Sequence, residues 1–357
     1  MTNRLRIAQL MLGKGFGGAE RSFVDITNVL SALGHELLVI VDSRGISTPK
    51  INKRSNVNLV SVSCLGTWDS LAGSIIYRNL KKFSPEILHT HLARASAIGG
   101  KSAHKLGIAT VAKTHNLVKP KYYRFIDRIV STTRVQQQHL LDHGVLQRRL
   151  RLIPNFSTAP PVTESVIRER ERNLGQRKFV IKGAGRLVYK KGFDVMLEAM
   201  FILKALNLRL QVEIAGDGPE RSALLAHTKK LGLEKEVSFL GWQEDIVDFI
   251  KGADLFLLPS REEPFGVVLL EAMAAGTPIV ATRTQGPEEI FKQGGAITCK
   301  VNDPSELAKA VRQALFSPTR WDMARDARKA YRNRYSSDVV VAQYVDLYRE
   351  LLKTSRR

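Results

Sequence analysis

The chain has 357 residues, about twice the usual size of one domain, with 44% hydrophobic and 25% charged residues; this excludes disordered and collagen-like classes and predicts two globular domains with sizeable cores. It carries 55 Lys and Arg against 34 Asp and Glu, a formal charge of +21, which points to an anionic partner: nucleic acid, a membrane surface or a phosphorylated substrate. The two cysteines, Cys64 and Cys299, stand apart in apolar text, which excludes a disulfide scaffold or CxxC metal cluster and suits a reducing compartment.

The first predicted element is a buried strand at RIAQLML, whose apolar run ends before Gly13 and Lys14 and is too short for a signal peptide. Gly17 and Gly18 then open a helix with Phe23, Ile26, Thr27, Leu30 and Leu33 at helical spacing and Gly34 as its stop. HELLVIVD is a near-continuous apolar strand of the kind buried inside parallel sheets. VNLVSVS, the helix SLAGSIIYRNLKKF, EILHTHL, the helix ASAIGGKSAHKLG, ATVAKTH and FIDRIVSTT continue the alternation, which predicts a doubly wound sheet with right-handed crossovers. IPNFSTAPPVTES and the charge-rich VIRERERNLGQRK interrupt it and read as a linker.

A second series starts at KFVIKGAGR. It runs through the helix VMLEAMFILKAL, LRLQVEIAGDG, the helix ERSALLAHTKKLG, EVSFLGW, the helix DIVDFIKG, ADLFLLPS, the helix VVLLEAMAAG and TPIVAT. Strand-like GAITCKV, helices through Leu315 and from Arg320 to Tyr335, and an amphipathic helix near Asp338 to Leu352 close the chain. The expected class is therefore α/β, with Rossmann-like doubly wound domains over 1–160 and 178–335, a linker over 161–177, and a terminal helix in 336–357. A cleft between the two domains, faced by the strand C-termini of both sheets, is the expected site. No segment offers the ~18 uncharged apolar residues of a spanning helix, so a soluble or peripheral protein on the cytoplasmic side is expected.

The most informative stretch is PSREEPFGVVLLEAMAAGTPIVAT. A buried strand ends, a loop carries Glu263, and Pro264-Phe265-Gly266 leads into a helix that Gly276 and Pro278 stop. Glu271 lies inside that otherwise apolar helix, where a carboxylate is costly unless donors meet it; a ligand diol would supply them, and so would a structural salt bridge. The first-turn amides at Phe265, Gly266 and Val267 form a helix N-terminus suited to a phosphate. Arg186, Lys190 and Lys191 follow a strand and suit either a diphosphate or a solvated face. Gly13, Gly15 and Gly18 imitate a dinucleotide-binding fingerprint, but Asp42 lies 24 residues past Gly18 and NAD would leave the second half unexplained, so that reading is set aside. His115 ends a strand at the expected cleft, where a structural and a substrate-touching role are both open. His89 and His91 share one strand face with no third metal ligand beside them and read as structural or cleft-lining.

EPFGVVLLE, two glutamates with seven residues between them, resembles the signature of the retaining, GT-B-fold glycosyltransferases of family 4 (glycosyl transferases group 1), bacterial lipopolysaccharide and cell-envelope type. GFGGAER, Thr114 to Asn116, Ile153 to Asn155, GAGRLVYKKGFDVMLEA and IAGDGPER resemble the same family in the same order, so the resemblance spans nearly the whole chain. It implies a hexosyltransferase moving a sugar from a UDP-, GDP- or ADP-linked donor, held by the second domain, to a glycan or glycolipid on the acceptor-side first domain, with the 336–357 helix crossing back to pack on that first domain. The expected acceptor is a lipopolysaccharide core or lipid-linked saccharide; a small soluble acceptor is the alternative. The resemblance sets Glu263 beside the donor sugar, Glu271 on the ribose hydroxyls, and Arg186 and Lys191 on the diphosphate. Lys190 is adjacent, and Gly192, as in the family's Lys-Gly pair, favours Lys191. It further implies that Gly17 and Gly18 approach phosphate or sugar, that Phe265, Gly266 and Val267 complete the donor site, and that His115 touches the donor sugar. Gly216 and Gly218 would shape a turn under the nucleotide, with Trp242 and Gln243 near the base. No residue declares itself a nucleophile, so front-face and covalent routes both stay open. The nucleotide-sugar is a substrate, no cofactor is implied, and the lack of an Asp-x-Asp makes metal independence the expectation.

The rivals are a nucleic-acid-binding protein, which the charge alone suggests, and a sugar-binding protein without activity. The first lacks any helix-turn-helix, zinc-finger or RNP pattern, so no nucleic-acid partner is expected. Residues 1–150 hold 22 basic and 8 acidic groups against 33 and 26 in 151–357. From that front excess, Lys113, Lys119, Lys121, Arg124, Arg128 and Arg134 are expected to face phospholipid headgroups or a phosphorylated glycolipid, on the cytoplasmic face of the inner membrane.

Overall fold

The structure is a computed structural model and describes residues 4–355 apart from Phe16, Ser47 and 173–177. They fall into two compact units, one of Met1–Phe156 with Ser337–Arg357 and one of Ser157–Ser336.

Unit 1 alternates β1 (Arg6–Met11), α1 (Gly18–Ala32), β2 (Glu36–Asp42), β3 (Val57–Val62), α2 (Ser70–Phe83), β4 (Ile87–His91), α3 (Leu92–Lys105), β5 (Ala109–Lys113), β6 (Arg128–Ser131), α4 (Arg134–Asp142) and β7 (Leu150–Leu152). Its described strands form one parallel sheet in the order β3-β2-β1-β4-β5-β6-β7. β4 and β5 are buried along their whole length, as strands covered by helices on both faces must be. The order reverses between β1 and β4, so the loops leaving those two strands diverge and open a crevice at the sheet's carboxyl edge.

Unit 2 contains α5 (Glu164–Arg172), β8 (Phe179–Ala184), α6 (Phe193–Ala205), β9 (Leu210–Ala215), α7 (Arg221–Lys230), β10 (Val237–Gly241), α8 (Ile246–Lys251), β11 (Leu255–Leu258), α9 (Val267–Ala274), β12 (Ile279–Thr282), α10 (Gln285–Ile290), β13 (Ile297–Cys299), α11 (Pro304–Phe316) and α12 (Arg320–Arg334). The described strands again form a parallel sheet, ordered β10-β9-β8-β11-β12-β13. Here the reversal falls between β8 and β11, and the loops that leave it carry Arg186 to Lys191 and Glu263 to Gly266.

The stretch 161–177, expected as a linker, holds α5. Ile167 is buried with Trp321 and Ala324, and Glu164 accepts hydrogen bonds from Arg325 and Arg328, each at 2.7 Å. The Arg325 bond holds the Glu164 carboxyl below its usual range. So polar a helix shows little apolar periodicity; ion pairs with α12, far away in sequence, stabilise it.

The last helix, α13 (Ser337–Ser355), is part of unit 1. Val341, Tyr344, Tyr348 and Leu351 pack into one core cluster with Phe23, Ile26 and Leu30 of α1 and with Ile7, Val39 and Val111 of the sheet. Glu350 pairs with Arg151 at 2.5 Å and Arg128 at 3.7 Å. Among the described residues, no helix is long and apolar enough to cross a membrane.

Candidate active site

In unit 2 the site is built by two loops that touch backbone to backbone. Gly192 has φ +64°, and a Cβ on it would lie 2.2 Å from the Pro259 carbonyl oxygen, so only glycine fits this crossing. The Lys190 carbonyl accepts from the amides of Arg261 at 2.8 Å and Glu262 at 3.1 Å. This staple brings Lys191 to Glu263, and the two form an ion pair in which the glutamate is 7% exposed. Lys190 turns the other way and pairs with Glu262 at the surface. Arg261 grips both carboxylate oxygens of Asp194 at 2.7 Å and lies 4.1 Å over the Tyr189 ring, which stiffens the turn that presents Lys191. Behind Glu263, the Gly286 amide donates to the Glu263 carbonyl at 2.9 Å.

Gly266, at φ +91°, caps α9, so the first turn of that helix begins at Val267, four residues after Glu263. Glu271 sits farther along α9, 1% exposed among Leu269, Leu270, Ala272 and Met273. Arg186 is exposed on the loop after β8. Gly216 borders that loop: its amide donates to the Gly241 carbonyl at 2.7 Å, and a Cβ on it would lie 1.9 Å from the Gly185 carbonyl oxygen. Trp242, next to Gly241, is exposed. The structure thus brings Arg186, Lys191, Glu263, Phe265, Gly266 and Val267 to one switch point, with Gly216 at its border and Glu271 inside the helix behind it. A cation paired with a carboxylate beside a helix N-terminus suits a ligand that carries both phosphates and hydroxyls, since each ligand group can replace one partner of the pair. Gly216→Ala is expected to destabilise the protein by about 2–4 kcal/mol, because the loops after β8 and β9 would have to separate; an unchanged urea midpoint would contradict this packing.

In unit 1, Gly17 and Gly18 are exposed at the start of α1, and the Gly17 amide donates to the Glu20 carboxylate at 3.0 Å. A Cβ on Gly18 would meet nothing within 4 Å among the described residues, so internal packing makes no demand for glycine there. His115 lies just beyond β5, partly buried, at the end of a polar chain that sequence reasoning missed. The Tyr348 hydroxyl contacts His89 Nδ1 at 2.7 Å, Gln9 Nε2 lies 3.4 Å from the same atom, Gln9 Oε1 meets His91 Nε2 at 3.0 Å, and His91 Nδ1 meets His115 Nε2 at 3.5 Å. The one available signal was Gln9, a polar residue in the middle of an apolar strand.

Partner chemistry assigns the tautomers. Gln9 Oε1 can only accept, so His91 carries its proton on Nε2 and its bare Nδ1 accepts from His115 Nε2–H; His115 Nδ1 is left with a lone pair. Burial, then the Lys113 cation, push His115 well below the usual histidine range, and His89 falls to about 3 for the same reasons. His115 is thus a neutral hydrogen-bond acceptor at physiological pH.

Lys113 corrects an expectation, since it does not face a membrane. It is fully buried, donates to Ser22 Oγ at 2.7 Å and lies 5.6 Å over the Tyr344 ring. Strand alternation puts it on the same face of β5 as Val111, beneath α1 and α13. Arg128 is half-buried and turned to Glu350, whereas Lys119, Lys121, Arg124 and Arg134 are exposed. Burial lowers the Lys113 amine to about 7, partly opposed by Asp25. The unfolded chain therefore binds this proton more readily, so the cost of Lys113 is full below pH 7 and is relieved as pH rises toward 10. The unfolding free energy should climb between pH 7 and pH 9, and Lys113→Met should flatten that climb in urea titrations; equal slopes would refute the assignment.

Residues 16–156 match the family described as Glycosyltransferase Family 4, and residues 166–334 match Glycosyl transferases group 1. The lipopolysaccharide core biosynthesis glycosyltransferase LpsD of Rhizobium meliloti (strain 1021) is 28% identical over 340 residues, 93% of this chain and 95% of that protein. Among solved structures, a glycosyltransferase from Rickettsia africae ESF-5 matches with a TM-score of 0.84 at 20% identity, over 98% of this chain and 99% of that one. Anabaena Alr3699/HepE in complex with UDP and glucose matches with a TM-score of 0.80 at 20% identity, over 97% and 100%. Two parallel doubly wound units of this kind make the GT-B fold, and the class is a nucleotide-sugar-dependent glycosyltransferase. The chain belongs to glycosyltransferase family 4 (glycosyl transferases group 1), a family of retaining hexosyltransferases.

Proposed function

We propose that this glycosyltransferase moves a hexose from a UDP-linked donor to a lipopolysaccharide core or lipid-linked saccharide at the cytoplasmic face of the inner membrane. The observation that carries the donor site is the Lys191–Glu263 pair at the switch point of unit 2. Lys191 and Arg186 take the diphosphate and stabilise its charge as the sugar departs. Glu263, released by Lys191, meets the sugar hydroxyls and steadies the oxocarbenium-like transition state. Phe265, Gly266 and Val267 offer helix N-terminal amides to the phosphate, Glu271 holds the ribose, and Gly216 shapes the backbone under the nucleotide. On unit 1, Gly17 and Gly18 leave room for a phosphate or sugar to approach the backbone, and the Nδ1 lone pair of His115 accepts from a sugar hydroxyl.

The acceptor reading is supported by the likeness to LpsD over 93% of the chain, and the donor nucleotide by the UDP in the HepE complex. The exposed Lys119, Lys121, Arg124 and Arg134 add attraction to an anionic surface. The test is a panel of UDP-, GDP- and ADP-hexoses, with and without a lipid extract holding truncated lipopolysaccharide, read as nucleotide release and product mass. Release from a UDP-hexose that depends on the extract is expected; equal release with a water-soluble sugar acceptor alone would favour the small-acceptor alternative.

A further inference from the structure

We propose that Gln9, acting through His91, makes His115 a hydrogen-bond acceptor only, and that the donor sugar is thereby selected for an O–H at the position His115 meets. This deepens the sugar contact given to His115 above and rests on it. Gln9 is fully buried in the middle of β1, between Ala8 and Leu10, where an amide is costly unless both of its ends are bonded. Strand alternation sets it with Ile7 and Met11 on the face that α1 and α13 cover. The parallel register puts it opposite His89 on β4, and His91 stands two residues further along that strand, on the same face. Leucine would fill the same volume at less cost, so what the amide adds is direction.

That direction follows from which atoms can only give and which can only take. Gln9 Nε2 can only donate and lies 3.4 Å from His89 Nδ1, so that nitrogen is bare and the Tyr348 hydroxyl, 2.7 Å away, donates to it as well. Gln9 Oε1 can only accept, and it takes the proton of His91 Nε2 at 3.0 Å. His91 is fully buried, with its ring 5.2 Å from Phe23 and 4.4 Å from His89, so it does not turn over to offer Gln9 another atom. Burial holds all three imidazoles below the usual histidine range, and a neutral imidazole has one donor and one acceptor nitrogen. The proton on His91 Nε2 therefore leaves Nδ1 to accept from His115 Nε2–H at 3.5 Å, and His115 keeps a lone pair on Nδ1. A sugar hydroxyl satisfies that lone pair, whereas a fluorine or a carboxylate in its place sets lone pair against lone pair. Turned end for end, the Gln9 amide would shift every proton in the chain and give His115 an N–H instead, so the orientation of this one side chain decides what the sugar must present.

The experiment uses the full chain without acceptor and the nucleotide-hexose it binds from the donor panel, with the monodeoxy and monodeoxyfluoro analogues of that donor at each sugar hydroxyl in turn; dissociation constants are read by calorimetry. The position His115 meets is the one whose deoxy penalty vanishes in His115→Ala. There the deoxy analogue should bind about tenfold more weakly than the parent, and the fluoro analogue no better than the deoxy, because fluorine accepts but cannot donate. Gln9→Met frees His91 and His115 to exchange tautomers, so the fluoro analogue should then bind better than the deoxy. Gln9→Glu, which can accept from His91 in either protonation state, should keep the wild-type order. Without any variant or ligand, nitrogen NMR shifts of histidine-labelled wild-type protein should show His115 bare at Nδ1 and protonated at Nε2. A protonated Nδ1, or a fluoro analogue that the wild type binds as well as the parent, overturns the role of Gln9 and leaves the sugar contact standing. The expected tautomer with no deoxy penalty that depends on His115 overturns the sugar contact, and the selection with it; failure to bind any nucleotide-hexose overturns the donor reading itself.

Discussion

Replacing Glu263 by alanine is expected to lower kcat for sugar transfer about 10²–10³-fold while the donor KM changes little. The reason lies in the pairing with Lys191. Without donor, each member of the pair neutralises the other. In the proposed donor site, the lysine would turn to phosphate and the glutamate to the sugar, where charge develops only as the bond breaks. Alanine removes an interaction made mainly in the transition state and leaves Lys191 free for the diphosphate, so binding persists while chemistry slows. Glu263→Gln should fall between alanine and wild type. The fold should survive, because the orphaned Lys191 side chain is 22% exposed and can reach water. Steady-state kinetics with circular dichroism checks this; near-normal turnover in Glu263→Ala would remove Glu263 from the site.

Lys191→Ala should act differently. It is expected to raise the donor KM and lower kcat/KM about 10²-fold, because in the proposed site the cation would serve the bound diphosphate as well as the departing one. It should also cost about 1–3 kcal/mol of stability, since the Glu263 carboxylate, 7% exposed, is left buried without its partner. Adding Glu263→Gln to Lys191→Ala should recover part of that stability while activity stays low. Additive stability losses would show that the pair is not coupled, and an unchanged donor KM would remove Lys191 from the diphosphate.

Much of this architecture is legible from residue order. Near-continuous apolar strands such as HELLVIVD and ADLFLLPS, alternating with amphipathic helices, announce two parallel sheets, and β2 and β11 stand where those strings lie. The switch-point loops are legible too, because glycines such as Gly192 and Gly266 mark backbone turns that only they adopt cheaply. α5 was not legible. Its signal is a set of ion pairs to Arg325 and Arg328, more than 150 residues away. The polar chain behind His115 was hidden for the same reason: Gln9, His89, His91 and Tyr348 come from two strands and the terminal helix, and no local pattern joins them.

The sequence by itself determined the class of fold and the family, because strand and helix periods and short glycine-marked motifs are local properties of the chain. Only the tertiary structure decided which charged groups face water and which do not. Lys113 and Lys119 stand six residues apart in the same basic stretch, yet one is fully buried and the other exposed. Burial of a strand-end side chain depends on which helices cover that face of the sheet, and here the cover is α1 and α13, the latter drawn from the far end of the chain. Leu65, Trp68 and Leu71 are left exposed although apolar, which hydrophobicity along the sequence does not show.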